Sequence, residues 1–263
     1  MTPAHDAPIR RSSALTEYLL APNPGPMSLE GTNSYLVSAP EPAGFVVVDP
    51  GPLDEDHLQA LASAGSVELI LITHRHHDHT EGAERLYQLT GAPVRAADPV
   101  HCHGGGALLL ANELIMAAGV RIRVLGTPGH TSDSVSFFLP DDGPAGSVLT
   151  GDTILGRGTT VLDHPDGTLR DYLASLDLLE SLGSATVLPA HGPAPAAADI
   201  RTVVRAYRNH RLERLEQVRT ALAGLGRDAS VAEVAAVVYY DVDPSVRRAA
   251  ELSVAAQLDY LRS

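Results

Sequence analysis

A chain of 263 residues is long enough for one large domain, or for a domain of about 190 residues with a small appendage, and its 44% hydrophobic and 19% charged content excludes a disordered or fibrous protein. No apolar run reaches the ~18 residues of a membrane span, Met1 to Pro26 lacks the apolar stretch of a secretory leader, and the single cysteine, Cys102, excludes an internal disulfide, so a cytoplasmic protein is expected. All 19 basic residues are arginine, which excludes lysine Schiff-base chemistry, and a net charge of -13 argues against a strong nonspecific hold on nucleic acid, duplex DNA included.

In chain order, short β-branched runs divided by Gly, Pro and Asp predict strands near 17–20, 34–38, 45–49, 68–73, 94–97, 121–125, 134–139 and 147–150. Leu and Ala at three- and four-residue intervals predict helices near 54–64, 81–90 and 168–182, and a further strand is expected from Thr186 to Pro189. Such alternation implies layered α/β packing. The Pro- and Ala-rich stretch Pro193–Ala198 interrupts the pattern and sets the expected domain boundary, dividing 1–194 from 195–263. Beyond it, Ile200, Val204, Tyr207, Leu215, Val218 and Leu222 form the stripe of one long helix, followed by helices near 230–240 and 244–262. The acid is unevenly placed: residues 1–194 carry 9 Arg against 23 Asp and Glu, residues 195–263 carry 10 against 9.

The strand near 68–73 runs into Thr73-His74-Arg75-His76-His77-Asp78-His79. In a regular helix His74 and His76 would lie about 200° apart, so the segment is expected to be a loop at the strand's end, where its side chains can converge. Imidazole and carboxylate suit zinc-type ions, and this segment alone offers ligands for two of them without completing either shell. Three later segments, Thr127-Pro128-Gly129-His130-Thr131, Thr150-Gly151-Asp152-Thr153 and Pro189-Ala190-His191-Gly192, each put a further candidate after an apolar run. A His-rich loop can arise by chance, but agreement of four segments in order and context weighs against that.

These motifs resemble the metallo-β-lactamase superfamily, in its two-metal hydrolase branch with a bridging aspartate. On that resemblance His74, His76 and His130 hold one metal, Asp78, His79 and His191 the other, and Asp152 bridges them. Asp78 and Asp152 are then the catalytic carboxylates, and two Zn(2+) per chain, with manganese or iron as alternatives, activate a shared hydroxide as nucleophile. Asp49, in Asp49-Pro50-Gly51, looks like the family's early aspartate that orients metal ligands; the plain alternative is a turn carboxylate closing a strand. Arg75 and His77 are expected to face solvent or neighbouring loops, His101, Cys102 and His103 to form a surface loop, and His5 and His57 to be solvated.

The likeness extends toward the group typified by lactamase-β-like protein 2, through Asn23-Pro24-Gly25-Pro26, Gly31-Thr32-Asn33-Ser34-Tyr35, the run Gly151 to Thr160, and the tail from Tyr207-Arg208-Asn209-His210-Arg211 onward. It implies an αββα sandwich with a small C-terminal helical, winged-helix-like domain, and single-stranded RNA endonuclease activity, with thioesterase or lactone and ester hydrolysis of the glyoxalase II type as the alternative. Arg201, Arg205 and Arg208 flank the long helix where phosphates could dock, or form a solvated, salt-bridged face; Tyr35 and Tyr172 line a pocket or belong to the core. β-Lactamase activity is disfavoured by Asp152, a mononuclear-iron persulfide dioxygenase by the surplus ligands His76 and His79, and a flavin-linked diiron oxidoreductase by His76, where that class carries Glu. The partners expected are a small ester or thioester or single-stranded RNA, no membrane, and by base rate a homodimer.

Overall fold

A computed structural model of the chain describes residues 8–41, 44–194, 196, 198–241, 243 and 246–263. The first sheet gathers β1 (Arg10–Arg11), β2 (Thr16–Leu20), β3 (Asn33–Val37), β4 (Phe45–Val48), β5 (Val67–Leu71) and β6 (Val94–Arg95), in that order. Its first four strands are antiparallel neighbours, and β4, β5 and β6 run parallel. The parallel connections are made by α1 (Glu55–Ser63), the single turn α2 (His77–Thr80) and α3 (Ala83–Thr90). The second sheet has the order β11-β10-β9-β8-β7, built from β7 (Leu114–Ala117), β8 (Val120–Gly126), β9 (Val135–Leu139), β10 (Ser147–Leu149) and β11 (Thr186–Leu188), with α4 (Leu169–Glu180) crossing between the last two. The short strands β1 and β7 lie outside the runs expected from sequence; Arg10–Arg11 is only two residues long, and β7 is apolar on both faces, with Leu114 and Met116 exposed on either side of buried Ile115 at a sheet edge, so it shows no apolar–polar alternation.

Period-two alternation explains the layering. Val46 and Val48 of β4 turn inward with Tyr35, Val37, Leu69 and Leu71 to meet Ile122, Val124, Phe137, Leu139 and Leu149 of the second sheet. Val47, Leu36 and Ile70 point the other way, against Leu58 and Leu61 of α1 and Leu86 of α3. On the far side Leu125, Val148 and Val187 receive Leu169, Tyr172, Leu176 and Leu179 of α4. The result is the expected αββα sandwich. Its helices start where side chains can satisfy free backbone N–H groups: Asp54 caps α1 and Thr168 caps α4.

The tail holds α5 (Ile200–Leu225), capped by Asp199, α6 (Val231–Val238), opened by a Ser230–Glu233 capping box, and α7 (Arg247–Arg262). Helix α5 serves two cores. Ile200, Val204, Tyr207 and Leu215 pack with α4 and the second sheet, whereas Val218 and Ala221 join Val234, Val238, Val254 and Leu258 of the tail. Among the described residues the tail carries no strand, and no helix is long and apolar enough to cross a membrane. Of the expected boundary stretch, residues 195 and 197 lie outside the described residues, as do His5 and residues 244–245 of the last predicted helix.

Candidate metal centre

Strand direction decides where the site forms. β4 and β5 are parallel, and β8, β10 and β11 share one direction because β9 runs against both β8 and β10. The segments that follow these five strands carry Asp49, His74 to His79, His130, Asp152 and His191, and they gather at one edge of the sandwich. Loops at strand ends are where a rigid scaffold can present converging side chains.

After β5 the backbone bends at Thr73 and again at Arg75, and His76, in extended conformation, stands at the N-terminus of α2. The second half of the His-x-His-x-Asp-His motif is therefore helical, not a loop as the spacing suggested. The argument from 200° separation holds for His74 and His76 alone. The turn sends His77 to solvent and directs Asp78 and His79 inward, with Thr80 Oγ1 donating to His76 O at 3.0 Å. Two glycines permit the approach of the other loops. Gly129, at φ +136°, passes so close to Tyr172 that any Cβ would overlap its backbone, and a Cβ on Gly151, at φ +50°, would stand 2.7 Å from Thr73 Oγ1.

The seven expected ligands fall into two groups, His74, His76, His130 and Asp152 in one and Asp78, His79 and His191 in the other, with all ligand atoms of a group within 4.8 Å of one another. In the first, His76 Nδ1 lies 3.0 Å from both His74 Nε2 and His130 Nε2. In the second, His191 Nε2 is 3.2 Å from His79 Nε2 and 3.2 Å from Asp78 Oδ2. Asp152 faces both: Oδ1 is 3.2 Å from His191 Nε2 and 3.6 Å from His79 Nε2, whereas Oδ2 is 3.7 Å from His130 Nε2. Donor atoms around a tetrahedral zinc with bonds of about 2.0–2.1 Å stand about 3.3–3.4 Å apart, so the spacing fits.

Residues 27–191 match the model of the Metallo-beta-lactamase superfamily. The chain belongs to this superfamily. It is 30% identical to the Beta-lactamase-like protein 2 homolog of Caenorhabditis elegans, over 94% of this chain and 83% of that protein. It is 32% identical to the atrochrysone carboxyl ACP thioesterase of Aspergillus chevalieri, over 81% of this chain and 68% of that one. A metallo-beta-lactamase family protein from Thermus thermophilus shares the fold with a TM-score of 0.76 and 25% identity, covering 94% of this chain and 93% of that one.

The hydrogen bonds behind the imidazoles suit the metallo-β-lactamase site to cations. His79 Nδ1 donates to Asp49 Oδ2 at 2.8 Å, His130 Nδ1 to Val161 O at 2.6 Å, and His191 Nδ1 to Gly31 O at 3.1 Å. Thr73 Oγ1 donates to Asp49 Oδ2 at 2.7 Å and so accepts from His74 Nδ1 at 3.1 Å. Each of these rings spends its proton outward and turns a lone pair inward. Lone pairs facing one another across 3.0–3.2 Å repel until a proton or a metal ion sits between them. Asp152 Oδ1 points the same way: it is buried and has no hydrogen-bond partner. Residues and site thus fit a pair of metal ions.

The two groups differ electrically. Burial, reinforced by the neighbouring imidazoles, holds His74 well below the usual histidine range, and burial brings His130 down to about 4 despite Asp152. Burial also opposes charge on His79, but Asp78, Asp49 and Asp152 together overcome it and raise that histidine to about 10. His191 is raised against burial by Asp152 and Asp78, and Asp78 is lowered against burial by His79 and His191. The first group is ready for metal at neutral pH; the second holds a positive charge in any case, as proton or as ion.

Asp49 does more than end a strand. It sits at φ +54°, a costly conformation for a residue with a side chain, and accepts from the Thr73 backbone at 2.8 Å as well as from Thr73 Oγ1 and His79. Residues read only as a signature prove to be supports: Thr32 Oγ1 donates to Asp78 O at 3.0 Å, and Asn33 Nδ2 to Pro189 O at 2.9 Å and Gly192 O at 3.0 Å. Asp163 and Arg211 were not anticipated. Asp163 pairs with Arg75 and stands 3.4 Å from His76 Nε2. Arg211 donates to Thr160 O, while Thr160 Oγ1 donates to Asp152 O at 2.7 Å. Only their place beside ligand loops could have flagged them.

Other expectations met different outcomes. His57 is buried, with Nε2 3.0 Å from Ser34 Oγ, not solvated; it faces the sheet from α1 because helix phase, which a lone histidine does not reveal, puts it there. Arg75 is engaged by Asp163 and Asp166, the latter at 3.2 Å. Tyr35 and Tyr172 are core residues. Arg205 pairs with Glu180 at 2.9 Å and Arg208 with Asp177, so these two arginines of the α5 flank stand in a salt-bridged face, while Arg201 is exposed. His101, Cys102 and His103 remain a half-buried peripheral turn outside both ligand groups.

Proposed function

We propose that this metallo-β-lactamase superfamily hydrolase is a dinuclear, zinc-type enzyme that cleaves an ester or thioester. The observation carrying the reading is Asp152, whose two oxygens face two separate histidine groups and one of which is buried without accepting a hydrogen bond. His74, His76 and His130 would hold one ion, Asp78, His79 and His191 the other, and Asp152 both. Two such ions would lower the pKa of a shared water from ~16 toward ~7 and polarise the scissile carbonyl. Zinc suits this donor set, and manganese or iron would be accepted by it.

The chain's own residues do the positioning. Asp49, Thr73, Val161 and Gly31 fix the ring orientations, and Asp78 and Asp152 set the charge at the floor of the site. Asp152 and His130 line a cavity of about 280 Å³ with Met27, Leu29, Leu155 and Ala249, which receives a small acyl group and sheds water from it. An acyl substrate is preferred to single-stranded RNA because Arg205 and Arg208, on the flank of α5, are already neutralised by Glu180 and Asp177 of α4. The relationship to an acyl carrier protein thioesterase points the same way.

Metal-loaded protein is to be incubated with a panel of thioesters and lactones and, separately, with single-stranded RNA. Thioester or lactone turnover that disappears in Asp152→Ala is expected; RNA cleavage alone, lost in the same variant, would replace the acyl reading with the nuclease one.

A further inference from the structure

The cavity that ends at Asp152 and His130 has its opposite wall in the helical tail. There α5 presents His210, Arg211 and Arg214, with Arg214 one turn beyond the other two and neighbour to both. Arg211 is only 3% exposed. Its guanidinium donates to Thr160 O and lies over the Tyr172 ring, 5.0 Å from the centroid, while Nε has no hydrogen-bond partner. Arg214 lies over Tyr239 at 4.7 Å and donates to Gln217 Oε1 at 2.9 Å. Among the described residues neither guanidinium forms an ion pair with a carboxylate. Arg157, which lines the same cavity, is paired with Glu30, and Arg205 and Arg208 on the same helix are paired with α4.

Guanidinium stays charged at any physiological pH, and a buried one without a counter-ion is costly. In a chain of net charge -13 a neutralising acid was not hard to come by. Arg211, buried, and the half-buried Arg214 beside it, both aromatic-backed and without a carboxylate partner among the described residues, therefore mark a place where the counter-ion arrives from outside. Burial, then the charges of Arg211 and Arg214, hold His210 below its usual range, with Glu213 opposing, so the imidazole adds a neutral polar group there.

We propose that Arg211 and Arg214 form an anion subsite for a carboxylate or phosphate that the ester or thioester substrate carries remote from its scissile bond. The assignment rests on reading the Asp152 end as the hydrolytic centre. Substrates of this class are acyl compounds with a second, ionised end; the apolar wall of Met27, Leu29 and Leu155 faces their connecting chain.

The test compares, on metal-loaded full-length protein, the S-benzyl monothioester of glutaric acid, its methyl-capped ester and a phosphonate counterpart. A preference of at least about tenfold for a charged form over the capped one is expected, carboxylate or phosphonate naming the anion. Arg214→Gln should erase that preference, and Arg205→Gln, an equal change of charge elsewhere on α5, should keep it. Arg211→Gln would also release Thr160, so Arg214 carries the experiment. Equal turnover of charged and capped forms, or a preference surviving Arg214→Gln, overturns the subsite. If no thioester turns over, the hydrolytic reading fails by itself, and calorimetric titration of glutarate and of inorganic phosphate decides the subsite. Binding weakened about tenfold by Arg214→Gln sustains it, and absent or unchanged binding of both removes it.

Discussion

The two ligand groups are made of the same residue types and share Asp152, yet they are held differently. His74, His76 and His130 lean on neutral partners or a distant acid: the Thr73 hydroxyl, the Val161 carbonyl, and Asp163 at 3.4 Å. His79 leans directly on Asp49 and is surrounded by Asp78 and Asp152. Beyond the shared Asp152, one group attracts a cation through imidazole lone pairs, whereas the other adds the charges of Asp78 and Asp49. The lesson is that ligand identity sets which ions fit, whereas the partners behind the ligands set how binding depends on pH.

The largest effect belongs to the residue that abolishes the distinction. Asp152→Ala is expected to cut thioester turnover by at least ~10³-fold and lower metal content at both groups while circular dichroism stays native. Full activity in that variant would remove the bridge. Next comes Asp49→Asn, which should weaken metal binding by about 10- to 100-fold, with the Asp78–His79–His191 group emptying first in a chelator competition. Simultaneous loss of both ions would deny the asymmetry, since His74 reaches Asp49 only through Thr73.

Proton release sharpens the comparison further. In chelator-stripped protein His79 sits near about 10, so at pH 8 it carries a proton that a metal must displace, and affinity at that group should rise with pH until about 10. His130, near about 4, is already neutral, so the first group should release no proton from it above about pH 5. Zinc titration by calorimetry in buffers of different ionisation enthalpy counts the protons directly; two equal steps would sink the electrostatic account. Smallest is Asp163→Asn, expected to cost a few-fold in affinity at the first group only, because it touches one ligand at a long distance.

Much of this was legible beforehand because ligands announce themselves. Histidine and aspartate spaced along four separated segments cannot pack as an ordinary core, and each segment follows a β-branched run, so layered α/β packing with ligands at strand ends was legible from the residues, while the αββα sandwich and the gathering of His74, His130, Asp152 and His191 came from the resemblance those motifs carry. The supports were not legible. Thr73, Thr32 and Asn33 are common strand-flanking residues whose value lies in what they touch, 24 to 159 positions away. The turn His77–Thr80 was hidden because four residues are too few to show a helical period. His57 and Arg211 were missed for a related reason: polarity suggests solvent, and only the packed neighbours reveal burial.

Helix α5 has one consequence for how such chains can be recombined. Its covalent junction with the sandwich lies near residue 199, but its allegiance changes between Leu215 and Val218, four turns further on. A graft of a foreign tail at the junction would strip Ile200, Val204 and Tyr207 from α4 and take Arg211 from Thr160. One spliced inside the helix, after Leu215, would keep Ile200 to Leu215 on α4 and Arg211 on Thr160, and would exchange only the part of the cavity wall that Tyr239 and Ala249 supply.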